Sequence, residues 1–170
     1  MSVCVCPYSS AWPGSFRQEA RLLRAALAPW LSQGIEHIGS TAVPGLAAKP
    51  ILDMLAGITD LNAARQAIPV LAELGYRHAD HRPHEALWFY KQPGEEYELR
   101  THQLHLTRAD SNLWLERLAF RDALREDPRL RDGYESLKQV LSSETDLVAY
   151  TRGKREFVSA VLLARGVQLG

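Results

Sequence analysis

The sequence predicts an α/β fold of the α+β kind, a mixed β-sheet with helices packed on it and a helical C-terminal third. Three observations carry this. Two short apolar runs, at 35–38 and 50–55, flank a connector rich in small and polar residues, the pattern of two strands joined by a loop. Strand-like runs at 76–79, 86–92 and 97–107 are separated by the turn-like segments HRPHE and PGE. Beyond residue 110, apolar residues return at three- and four-residue spacing, the period of helices.

The 170 residues fit one domain, 1–170, with enough chain for a proper core. Lysine plus arginine equals aspartate plus glutamate, at 20 each, so no global charge draws the chain to nucleic acid. No apolar run approaches the roughly 20 residues that span a bilayer, and the first dozen residues lack the pattern of a signal peptide. A cytoplasmic location is the default expectation. Cys4 and Cys6 stand one residue apart, too close for a good disulfide and too few for a zinc site.

Taken in order, a short strand is expected at 3–5, then loop to Gly14. Ser15 and Gln18 form a capping-box pattern that would open a helix with Phe16, Ala20, Leu23, Leu27 and Trp30 on its buried face. Pro29 would finish it. After the two apolar runs, Asp60 caps a segment whose stripe is Leu61, Ala64, Ile68, Leu71 and Leu74. Pro69 breaks that segment into a kink or two short helices, and Gly75 suits its C-terminal cap. The runs from Tyr76 to Thr107 make an antiparallel meander. Asp110 or Ser111 then caps a helix to about Arg125, and Asp127-Pro128 starts the next, with Leu130, Tyr134, Leu137 and Leu141 inward. Asp146 opens the last helix, with Tyr150, Phe157, Val161 and Ala164 inward and Gly166 at its end.

The connector from Gly39 to Lys49 and the strand behind it carry the candidate chemistry. Gly39 lets a backbone approach a phosphate closely, and the Ser40 and Thr41 hydroxyls add donors. Neither G-x-x-x-x-G-K-[ST] nor G-x-G-x-x-G is present, so Gly-Ser alone also reads as an ordinary turn. Asp53 sits in the apolar run PILDMLAG, where a carboxylate is costly unless paired or metal-bound. Alternation puts Ile51, Asp53 and Leu55 on one face of that strand and Leu52, Met54 and Ala56 on the other. Lys49 can neutralise phosphate, pair with Asp53, or simply face water. His102 and His105 cannot both face one side of a regular strand, but either one could join Asp53 on a divalent ion. Later helices bring Arg121, Arg125, Lys138 and Lys154, which either line a cleft for an anion or pair within their helices.

The segments PYSSAWPGSF, IEHIGSTAVPGLAAKPILDM, LGYRH, HQLHL, FRDALREDP, YESLK and the Tyr150-x-x-x-Lys154 pattern together resemble the GrpB family, whose members also occur fused behind dephospho-CoA kinase domains. The resemblance covers nearly the whole chain and implies a nucleotidyltransferase-like fold. In that superfamily a Gly-Ser after the first strand meets a triphosphate, and an acid-x-acid pair plus a third acid holds magnesium. Gly39, Ser40 and Asp53 match; Leu55 stands where the second acid belongs, and the later strand offers His105, with Glu98 to one side. The resemblance therefore implies a nucleotide or other phosphorylated small molecule as partner. Gly39, Ser40, Thr41, Lys49, Arg121 and Lys154 would contact it, with Asp53 and His105 as catalytic and metal-binding residues. Magnesium prefers oxygen, so a histidine-containing site suits manganese or zinc at least as well. The alternative is a non-catalytic interaction or chaperone-like domain that retains the fold.

Overall fold

The computed structural model describes residues 5–94, 100–142 and 147–169, without the side chains of residues 142, 147, 148 and 150. The expected strand at 3–5, Cys4, Glu98, Asp146 and the Tyr150 side chain fall wholly or largely outside it. At the edge of that region, Cys6 makes an isolated antiparallel bridge with Ala48.

The elements run α1 (Trp12–Leu27), β1 (Leu31–Ile38), a 3-10 turn (Ser40–Ala42), β2 (Leu52–Ile58), α2 (Leu61–Ala64), α3 (Ala67–Glu73), β3 (Arg77–Ala79), β4 (Leu87–Lys91), β5 (His102–Arg108), α4 (Asn112–Glu126), α5 (Pro128–Ser142) and α6 (Leu147–Ala164). One five-stranded sheet has the order β1-β2-β5-β4-β3. β2 and β5 run parallel at its centre, and the remaining pairs, including the expected meander β3-β4-β5, are antiparallel.

Local signals account for most boundaries. Asp60 caps α2 by accepting from the Ala63 amide at 2.7 Å, and Ser111 caps α4 by accepting from the Trp114 amide at 3.1 Å. Gly75 takes the left-handed conformation that closes α3, at φ 85°. The Pro69 segment does divide into two short helices. Helix α1 departs from expectation. It starts at Trp12 without a side-chain cap, because Pro13 is preset for a first turn and Trp12 anchors against Ala48 and Leu52. Ser15 is thus inside the helix, and its hydroxyl donates back to the Ala11 carbonyl at 3.2 Å. In α6 Val161 and Leu162 are buried, whereas Ala164 is exposed.

The two sheet faces have different partners. Met54, Ala56 and Ile58 of β2 join Ile35, Leu104, Leu106, Leu87 and Phe89 in the main core, closed by α1, α2 and α3. On the opposite face Ile38 and Leu55 pack against Trp114 of α4. The helical third is tied to the connector by a separate cluster, in which Val43 and Leu46 meet Leu124 and Tyr134, with Phe157 alongside. That cluster brings α5 and α6 over the end of β1.

Candidate functional site

Where β1 ends, Gly39 turns the chain at φ 72°, a left-handed conformation that favours glycine. Space excludes a side chain there as firmly as torsion does. A Cβ on Gly39 would stand 2.4 Å from Oδ2 of Asp53, so the carboxylate lies directly against the bend. Asp53 is half-buried, on the β2 face shared with Leu55.

Lysines approach this bend from the helices. Lys138 on α5 donates to the Ser40 hydroxyl at 3.2 Å and to the Ala47 carbonyl at 2.7 Å, and lies 5.1 Å from the centre of the Tyr134 ring. Glu135, on the same helix, accepts from the Ala47 amide at 3.1 Å, so α5 grips the connector twice. Burial, aided by the charge of Lys154, brings the Lys138 ammonium down to about 8. Lys154 on α6 is lowered too, by burial above all; the Asp53 carboxylate opposes that, and the charges of Arg117 and Lys49 add to it. Burial raises the Asp53 carboxyl to about 6, held back by the charges of Arg117 and Lys154. Of the four lysines in the sequence, Lys49, Lys138 and Lys154 share this field; the fourth, Lys91, donates to Glu19 at 2.5 Å elsewhere.

Gly39, Ser40 and Asp53, all singled out from sequence, thus meet at the bend, and the charge of Lys154 acts on Asp53 while that of Lys49 acts on Lys154. Four other candidates are turned elsewhere. The Thr41 hydroxyl is spent inside the fold, donating to the Ile51 carbonyl and accepting from Nε2 of His37, both at 2.9 Å. That leaves His37 as the Nε2–H tautomer, stacked on Phe16. Arg121 is turned toward β1, where it binds Glu36 at 2.6 Å, Asp122 at 2.8 Å and the His37 carbonyl at 3.1 Å. It lines a separate hollow of about 330 Å³ with Tyr8, Phe16, Arg17, His37 and Arg125. Arg125 is likewise occupied, holding the Ala42 carbonyl at 2.8 Å.

His105 sits beside Leu55 in the parallel register, while Asp53 sits beside Gln103. The two candidate metal ligands therefore share a face but lie one row apart, roughly 8 Å between Cα atoms by sheet geometry. His105 packs on Trp88 of β4, away from β2, with ring centres 4.0 Å apart, and its Nδ1 is buried without a partner among the described residues. Burial, with the charges of Arg117 and His81, lowers it to about 3 and keeps it neutral.

A magnesium pair does not fit the donors on this face. Magnesium takes mostly oxygen ligands. Leu55 is wholly buried between Ile38 and Trp114, the described groups whose charges act on Asp53 are cations, and no group of three or more His, Cys, Asp or Glu among the described residues could hold a metal ion. Lys138 was the residue least legible from sequence. Its place on one helical face with Tyr134 was readable, but its reach to Ser40 spans 98 residues.

The same groups set the acid response of the fold. His37 is lowered to about 4 by burial and by Arg125 and Arg121, and His105 to about 3, against 6.5 for a free histidine. The unfolded chain therefore takes up two protons that the fold refuses, and stability is lost as pH falls below about 6.5. Asp53 works oppositely: its folded value of about 6 exceeds the usual 3.8, so it favours the fold fully below 3.8 and loses that contribution as pH rises through 6. Asp53→Asn removes this offset. Between pH 4.5 and 6 the variant should lose stability with acid more steeply than wild type, by about 1 kcal/mol per pH unit. Urea midpoints across that range check the difference; equal slopes would place Asp53 in a water-like setting.

A family model described as GrpB protein matches residues 2–163. A UPF0157 protein of Pseudomonas aeruginosa is 41% identical over 165 residues, covering 93% of this chain and 65% of the relative. The glutamate-rich protein GrpB of Alkalihalophilus pseudofirmus is 32% identical over 164 residues and covered to 94%, as is this chain. Among solved structures, conserved protein GrpB from Enterococcus faecalis superposes with a TM-score of 0.76 at 29% identity, over 92% of this chain and 98% of that one. Cid1 poly(U) polymerase gives 0.54 at 13% identity, over 81% of this chain and 42% of its own. The GLD-2/RNP-8 complex gives 0.60 at 13% identity, over 92% and 51%. Likeness at that identity shows a shared nucleotidyltransferase-like fold, and this chain spans about half or less of those two chains. With the family model covering nearly its whole length, the chain belongs to the GrpB family.

Proposed function

We propose that the Gly39–Ser40 bend, with the lysines that α5 and α6 bring toward it, takes the phosphates of a nucleotide, and that the chain is a nucleotidyltransferase-like enzyme. The observation that carries this is the bond from Lys138 to Ser40, which sets an ammonium group on the bend that also meets the Asp53 carboxylate. Gly39 admits phosphate oxygens close to the main chain, and Lys49, Lys138 and Lys154 neutralise them. Asp53, with a carboxyl near 6, is suited to accept the proton of an attacking hydroxyl at neutral pH. One observation favours the alternative of a non-catalytic domain: Leu55, at the position of the second acid, is wholly buried.

Thermal unfolding with a panel of nucleoside mono-, di- and triphosphates tests the proposal. A ligand that binds only the folded state raises the midpoint by mass action. Wild type should gain stability in the order tri- over di- over monophosphate, with the gain much reduced in folded Lys138→Gln. If no nucleotide shifts wild type, the non-catalytic reading takes its place.

A further inference from the structure

Building on that proposal, we infer that this bend binds a polyphosphate through the lysines around it in the place of divalent cations, so that binding needs no added metal ion.

The charges on the face decide this. Arg117 and Lys154 act on the Asp53 carboxylate, Lys49 acts on Lys154, and Lys154 and Glu135 act on Lys138. Four positive charges against two negative ones make a better counterpart for a triphosphate than for a free divalent cation. A divalent ion drawn to Asp53 would find no second oxygen along β2, because Leu55 is sealed between Ile38 and Trp114. Across on β5, the neighbour in register is Gln103, whose amide oxygen could add a single uncharged ligand, and the next residue on that face is His105, turned to Trp88.

Lys138 is also preorganised for this role. The Ser40 hydroxyl and Ala47 carbonyl use two of its three ammonium donors among the described residues, fixing the charge at the bend. A loose surface lysine would have to be ordered by its ligand, whereas this one is already ordered by the fold.

The test is calorimetric titration of the full chain with ATP and with inorganic tripolyphosphate, in EDTA and again with magnesium or manganese. The expected result is binding in EDTA within about twofold of that with metal. Lys138→Gln and Lys154→Gln should each weaken it about tenfold or more. Asp53→Asn should bind as well as wild type or better, since a repelling carboxylate is gone. Arg24→Gln, on the exposed last turn of α1, should change nothing, and circular dichroism confirms that each variant is folded. Binding that appears only with metal, or that disappears in folded Asp53→Asn, would overturn the inference while leaving the nucleotide proposal standing. Binding in EDTA that Arg24→Gln weakens as much as the lysine variants do would mark unspecific charge attraction and overturn it too. No binding of either probe under any condition would overturn both.

Discussion

Gly39→Ala should lose about 2–5 kcal/mol of stability, more than an alanine normally costs at a loop glycine. Two effects add. The left-handed backbone at φ 72° disfavours any Cβ by about 1–2 kcal/mol. The new methyl would also meet Oδ2 of Asp53 at 2.4 Å, and overpacking of this kind costs about 1–3 kcal/mol. The second effect depends on Asp53 and is therefore separable. In an Asp53→Ala background the closest clash is gone, although the Asp53 Cβ still stands 3.0 Å from the added atom. The double variant should recover about 1–2 kcal/mol relative to the sum of the single changes. Chemical denaturation of the four proteins in this cycle provides the measurement. Additive losses would mean that the carboxylate does not rest on the bend.

The second large effect concerns the missing acid. Leu55→Asp introduces the acid-x-acid pattern that the resemblance to nucleotidyltransferases implies, yet it should cost at least about 4 kcal/mol and approach outright unfolding. Leu55 is 0% exposed and packs on Ile38 and Trp114. Truncating such a leucine to alanine already costs about 2–5 kcal/mol, and a carboxylate adds desolvation. Magnesium or manganese at millimolar concentration should not restore the melting temperature, because the positive charges of Arg117 and Lys154 that act on Asp53 also repel a divalent cation. Recovery of the wild-type midpoint on adding metal would show that this face can accept a divalent ion after all.

These expectations also mark what could be read before folding. Alternation in PILDMLAG correctly placed Asp53 and Leu55 on one face, because the side-chain period of a strand is fixed. The strand limits were less legible. β1 begins at Leu31, four residues before its apolar run, since the polar Ser32-Gln33-Gly34 stretch lies exposed on an edge strand. β2 begins after Pro50, which cannot donate to a ladder, and continues through Gly57, where a Cβ would stand 2.7 Å from Cβ of Gln33.

Within the site, what could be read was the local part. Gly39, Ser40 and Asp53 lie within fifteen residues of one another, so their meeting follows from one strand–bend–strand unit. Arg121 looked equally suited to an anion. Its real partner, Glu36, is 85 residues away and depends on how α4 crosses β1, which no helical periodicity reveals. His105 depends on the β2–β5 register, since that pairing sets its row relative to Asp53. Such contacts are decided by tertiary packing, and packing is where Lys138 enters and Thr41 and Arg121 leave.

Lys138 reaches the bend at Ser40, the charge of Lys154 acts on Lys138 and Asp53, and that of Lys49 acts on Lys154; the small number of lysines makes their joint response to a polyphosphate directly measurable. With isotope-labelled methyl groups placed on the lysine amines, the chain gives signals from four side chains. On titration with tripolyphosphate, Lys49, Lys138 and Lys154 should shift together along one saturation curve, while Lys91, bound to Glu19, stays in place. A titration in which none of the three moves, or in which Lys91 moves with them, would contradict this arrangement.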